Sequence, residues 1–188
     1  SLYQAFVEGT KKPTDYGFPT NDVPPVGTPL PYPVHQITTK REDIDRPLTE
    51  GEAMDIGGIN RAELDQIWAM NDRVDGAIAI AVRLAGYAIL DGKKEFGMGS
   101  NREIMLVDAW GTPDEDRPVP RGPLSEGQVI HHSKEFIREL LRPFQKALKR
   151  AQKAGEPWPK YPDLTKEQIG EASQRYKAFA DAYCSVEI

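Results

Sequence analysis

Asp91, Lys93 and Glu95 alternate along "AILDGKKEFGMGSNREIMLVDAW", and Asp108 closes the second apolar run of the same stretch. If the two runs pair as a hairpin, Asp91, Lys93, Glu95 and Asp108 share one face. Carboxylates held on rigid strands suit a magnesium ion that also keeps phosphate oxygens and water. A lysine between them can neutralise a phosphoryl group in transfer. The same pattern can also be a solvated face with cross-strand ion pairs of small value.

Positioning these groups falls to two strands, about 88–98 and 101–109, with Gly99-Ser100 as a tight turn. That register sets Asp91 across from Asp108, Lys93 across from Leu106 and Glu95 across from Ile104. Glu95 then lies about four residues from Asp108, at roughly 3.3 Å per residue, too far for both to grip one ion directly. A bulge, a different turn, water bridges or two metals would be required.

Upstream, residues 10–47 hold eight prolines, which predicts an extended, irregular segment. Thr49 is placed to cap a short helix that ends at Gly57-Gly58. Leu64, Ile67, Trp68, Asn71, Val74, Ile78, Val82 and Ala85 recur at helical spacing, predicting a helix from Asn60 to about Tyr87. Residues 111–123 read as a Pro-rich loop. A helix capped by Ser133 carries Ile137, Leu140, Leu141, Phe144 and Leu148 to Gly155, and Pro143 predicts a kink or break near Arg142. A last helix starts at Thr165 in a capping box with Gln168 and buries Ile169, Ala172, Tyr176, Phe179 and Tyr183. Trp158 is expected to anchor a loop against it. The adjacent His131 and His132 should diverge and hold no metal as a pair.

The 188 residues suffice for one domain with a core, and the fold class expected is α+β. A net charge of −5 argues against nucleic-acid binding, and no apolar run reaches membrane-spanning length. The single cysteine, Cys184, fits a reducing cytoplasm. The chain opens "SLYQAF" without Met, so Ser1 is read as following a cut, either a trimmed end or a processed nucleophile.

"LDGKKEFG" followed by "LVDAWGTPDEDR" resembles the phosphoribosylaminoimidazole-succinocarboxamide synthase (SAICAR synthetase) family. Asp91, Lys93, Glu95, Phe96 and Gly97 match its D-x-K-x-E-F-G pattern. Asp108, Thr112, Pro113, Asp114 and Arg117 match the segment that follows. Thr38, Thr39 and Lys40 resemble its Ser-Thr-Lys segment, Lys134 and Arg138 its later helix, and Ser1, Tyr3 and Phe6 its Gly-Ser step with an aromatic pair. The resemblance implies a SAICAR-synthetase-like, ATP-grasp-like larger domain over 1–188, with helices packed on a hairpin-containing antiparallel sheet. It divides into a Pro-rich segment, 1–47, and helices plus hairpin 88–109 in 48–188.

The activity so implied is ATP-dependent ligation of an aminoimidazole ribonucleotide carboxylate to aspartate, through an acyl phosphate. Glu95 and Asp108 would hold ATP-bound Mg. Lys93 would meet the nucleotide substrate or the phosphoryl group, and Arg117 a substrate carboxylate or phosphate. Ser1 would meet the ribonucleotide phosphate and Lys40 and Asp45 the aspartate; Asp91 and Lys134 complete the substrate-binding set. The family's N-terminal, ATP-covering sheet has no counterpart in these residues, which look like the larger C-terminal part of such an enzyme. A separate N-terminal ATP-binding chain is an expected partner, nucleic acid and membrane are not, and a homo-oligomer stays open.

The chain also departs from the family. Ala109 replaces a Glu, Glu115 and Asp116 replace two small residues before the arginine, and Ser133 replaces an acid. Acids added near an anion site repel the anion unless a cation intervenes. A ligase for a different acid–amine pair, or a non-catalytic nucleotide-binding subunit, are the alternatives.

Overall fold

Side-chain capping decides where the helices begin. In the computed structural model, which describes residues 2–40, 42 and 45–187, Thr49 and Glu52 form a reciprocal capping box on α2 (Glu50–Gly57). Thr165 and Gln168 do the same on α6 (Lys166–Cys184). Ser133, fully buried, accepts from the Glu135 N–H at the start of α5 (Lys134–Ala154). Each cap satisfies donors that the first turn leaves orphaned. The remaining helices are α1 (Leu2–Val7), α3 (Arg61–Leu84) and α4 (Arg121–Ser125).

Among the described residues six strands form three two-stranded ribbons: β1 (Ile37–Thr38) with β2 (Pro47–Leu48), β3 (Tyr87–Gly92) with β6 (Asp116–Pro120), and β4 (Glu95–Met98) with β5 (Ile104–Val107). The backbone divides into two compact units. One holds the chain up to Arg73 with Phe96–Met105; the other holds Val74–Glu95 and the chain from Leu106 onward.

In the first unit, the described residues between Thr10 and Arg46 hold one turn of 3-10 helix, Pro13–Tyr16, and the short β1. Phe6 meets Tyr16 and Phe18 edge-on, at 5.4 and 6.1 Å. In the second unit, Ile78 and Val82 of α3, Tyr87 of β3 and Phe179 of α6 form the core, with Val74, Ile89 and Tyr183 packed around them. Among the described residues no helix is long and apolar enough to cross a membrane.

The structure corrects several sequence expectations. The stretch 88–98 is not one strand: β3 pairs with β6, and the chain changes partner at Lys93-Lys94. Residues 111–123 are not all loop, since β6 lies within them. Its prolines are tolerated because Pro118 turns its backbone away from β3; its carbonyl accepts from the His132 N–H instead. Helix α3 stops at Leu84 because Gly86 takes a left-handed conformation, φ 83°, which turns Tyr87 into the core. Of the kink or break expected at Pro143, the break is absent: α5 continues through this exposed position. On α6, Phe179 is buried as expected but Ile169 is exposed, and Trp158, expected to anchor a loop, is 69% exposed.

His131 and His132 diverge as expected. The His132 ring lies against the Tyr87 hydroxyl, Nδ1 to Oη 3.1 Å, whereas His131 is buried 3.8 Å from Glu139. Burial holds both imidazoles below their ordinary pKa. A depressed histidine lets the unfolded chain bind the proton first. Stability is therefore full above the unfolded value, about 6.5, and falls as pH drops through the lower folded value. Thermal unfolding should show a decline below pH ~6.5 that a His131→Phe/His132→Phe variant flattens; equal slopes would contradict this. Replacing Phe179, 2% exposed, with Ala should cost about 3–5 kcal/mol in denaturant unfolding. A loss under about 1 kcal/mol would remove it from the core.

Candidate functional site

The turn between β4 and β5 sets the carboxylates. It is a three-residue loop, Ser100 to Arg102, not the two-residue turn that the sequence suggests. The Gly99 N–H bonds the Glu103 carbonyl at 2.9 Å, and Arg102 N–H returns to Gly99 O at 3.0 Å. Arg102 is left-handed, φ 63°, a conformation costly for a non-glycine residue. Its guanidinium is held by Glu63 at 2.7 and 2.6 Å and by the Gly58 carbonyl at 3.0 Å.

Counting back from the closing bond brings Glu95 level with Val107, one residue from Asp108. The four-residue gap imposed by the shorter turn is gone. The single charged face is gone too, because Asp91 belongs to a different ribbon. Asp108 leaves β5 in a left-handed conformation, φ 70°, with its carboxylate accepting from the Ala109 N–H at 2.8 Å.

Glu95 is the most enclosed of the expected ligands, its side chain 14% exposed, and Lys93 Nζ lies 3.0 Å from it. Arg117 on β6 forks onto Asp91 of β3 through Nε and Nη2, and its Nη1 reaches Glu135 at 3.9 Å. The bond to Asp91 leads the causes that raise the Arg117 pKa, against a smaller opposing effect of burial. Lys134 donates to Glu115 at 2.9 Å. The structure thus brings together Asp91 with Arg117, and Lys93 with Glu95. Lys40 and Asp45, each exposed, lie in the other unit, beside Thr39 and Arg46, which bond at 3.0 Å. Ser1 lies outside the described residues.

Sequence reading missed Lys94. Its side chain is 2% exposed and donates to Asp116 at 2.5 Å and to Asp75 of α3 at 2.6 Å. Asp116 is 1% exposed, and its second oxygen accepts from the Gly111 N–H at 2.7 Å. Burial pulls the Lys94 pKa down, but the two carboxylates outweigh it, so the ammonium stays charged. The signal available was a lysine at the open position of the D-x-K-x-E-F-G match together with an acid in place of a small residue. The two added acids are each met by a lysine, Asp116 by Lys94 and Glu115 by Lys134.

Among the described residues no group of three or more His, Cys, Asp or Glu side chains converges to hold a metal. A two-carboxylate set fits magnesium, which takes its other ligands from water and phosphate.

A sequence model described as SAICAR synthetase matches residues 19–154. A phosphoribosylaminoimidazole-succinocarboxamide synthase of Thermoplasma acidophilum is 36% identical over 94% of the chain. The chain spans about 60% of that relative's length. Among solved structures, the Saccharomyces cerevisiae SAICAR-synthase complexed with SAICAR superposes with a TM-score of 0.65 at 18% identity, covering 98% of this chain and 56% of that one. A type-2 SAICAR synthetase in complex with ADP gives 0.58 at 18% identity, covering 93% and 58%. These likenesses carry the fold; the sequence match carries the kinship. The chain belongs to the SAICAR synthetase family.

Proposed function

We propose that the chain supplies the substrate- and metal-binding part of an ATP-dependent carbon–nitrogen ligase of purine biosynthesis. It would couple an aminoimidazole ribonucleotide carboxylate to the amine of aspartate. The reading rests on family membership, and the observation that carries it is the enclosed Glu95 beside Lys93, brought within one residue's step of Asp108 by the longer turn.

Glu95 and Asp108 would hold magnesium, which would screen the charge of the triphosphate. A substrate carboxylate oxygen attacks the terminal phosphorus and ADP departs, leaving an acyl phosphate. The aspartate nitrogen then attacks the acyl carbon, phosphate leaves, the amine proton passes to solvent and an amide remains. Lys93 places an ammonium where negative charge gathers on the transferring group. Asp91 occupies the Nε–Nη2 edge of Arg117 and orients it, so a substrate carboxylate or phosphate would compete with Glu135 for the Nη1 end. Lys134, Lys40, Asp45 and Ser1 are assigned to substrate binding, the last three in the segment that also carries the Ser-Thr-Lys match. A free, exposed Cys184 suits a reducing compartment, the cytoplasm.

ADP release is to be measured with the aminoimidazole carboxylate and aspartate present, the chain being supplemented by any segment or partner that completes its relatives' length. Glu95→Gln and Asp108→Asn should each lower the rate about 100-fold while leaving the unfolding midpoint in place. Wild-type turnover in both variants would remove the metal assignment.

A further inference from the structure

We infer that Asp116 is a positioning residue, which sets the two proposed metal carboxylates through its buried bond to Lys94. The inference rests on the ligase reading above for its functional meaning and on geometry for its structural one.

Asp116 reaches two pieces of chain at once. One oxygen takes the ammonium of Lys94, whose sequence neighbours are Lys93 and Glu95. The other takes the N–H of Gly111, three residues beyond Asp108. Lys94 is tied in turn to Asp75 on α3. Asp116 is also the residue before Arg117, on the strand whose register slips between Ile89 and Gly92. The slip sits where β3 ends and the chain moves to β4: the Lys93 N–H still bonds the Glu115 carbonyl at 3.0 Å and Glu95 opens β4, while Lys94 lies between the two strands. The ion pair ties down that link. Room for it comes from Gly92, where a Cβ would stand 1.8 Å from the Asp116 oxygen and 2.5 Å from the Lys94 nitrogen.

A purely structural pair can be replaced by neutral groups without functional loss, whereas a positioning pair cannot. Lys94→Met/Asp116→Ser removes both charges together and so avoids stranding one in the interior. The variant should unfold near the wild-type midpoint. Its amides at residues 108–111 should exchange with deuterium at least about tenfold faster, and Mg-ADP should bind about 10–100-fold more weakly by calorimetry. Wild-type exchange at 108–111 overturns the inference, whatever the affinity, and so does wild-type affinity despite faster exchange. If the wild-type chain, supplemented as in the ADP-release assay, takes up no Mg-ADP, the ligase reading falls, and the exchange rates alone decide whether Asp116 holds the loop. Should the double variant fail to fold, the isosteric Asp116→Asn is read by the same exchange criterion.

Discussion

An ammonium withdrawn from water must be matched by carboxylate, and the second unit is arranged around that requirement at Lys94. Asp116 and Asp75 supply the match at 2.5 and 2.6 Å. Removing one partner from such a pair typically costs about 3–5 kcal/mol, a large share of a domain's stability. The bond holds together the start of β4, the middle of α3 and, through Gly111, the loop after β5. Those pieces bear Glu95, Lys93 and Asp108. The same contact that stabilises this unit therefore has consequences for any chemistry carried out beside it.

Charge balance around the site follows the same logic. Glu115 and Asp116 stand where relatives of the expected pattern carry small residues, and two bare carboxylates there would repel a phosphate or a substrate acid. Each is met by a lysine, Glu115 by Lys134 and Asp116 by Lys94. Asp91 is met by Arg117. These pairs offset the acids beside the site, although the chain as a whole carries −5.

What the sequence revealed was the local chemistry. Thr49, Ser133 and Thr165 each announce a helix start within four residues of chain, and the structure places all three caps there. The charged residues of the D-x-K-x-E-F-G match were likewise visible. Their pairing was not. The hairpin register depends on Arg102 accepting a left-handed backbone, and that depends on Glu63, 39 positions away. A local rule that prefers glycine in such turns selects the wrong loop. Strand β6 was hidden because Pro118 and Pro120 read as breakers, though both sit where a two-stranded ribbon needs no donor. Lys94 was hidden because lysine is ordinarily a surface residue, and only the fold shows that an acid 22 positions on is buried with it.

Gly92 carries a consequence for descent. Its missing side chain is the space that the Asp116 carboxylate and the Lys94 ammonium fill. No larger residue can enter at 92 while the pair is kept; dropping Lys94 alone strips Asp116 of its cation, and dropping Asp116 alone leaves Lys94 with Asp75 only. Positions 92, 94 and 116 are therefore bound to mutate as a set, so that divergence within this lineage must pass through concerted change or stay where it is.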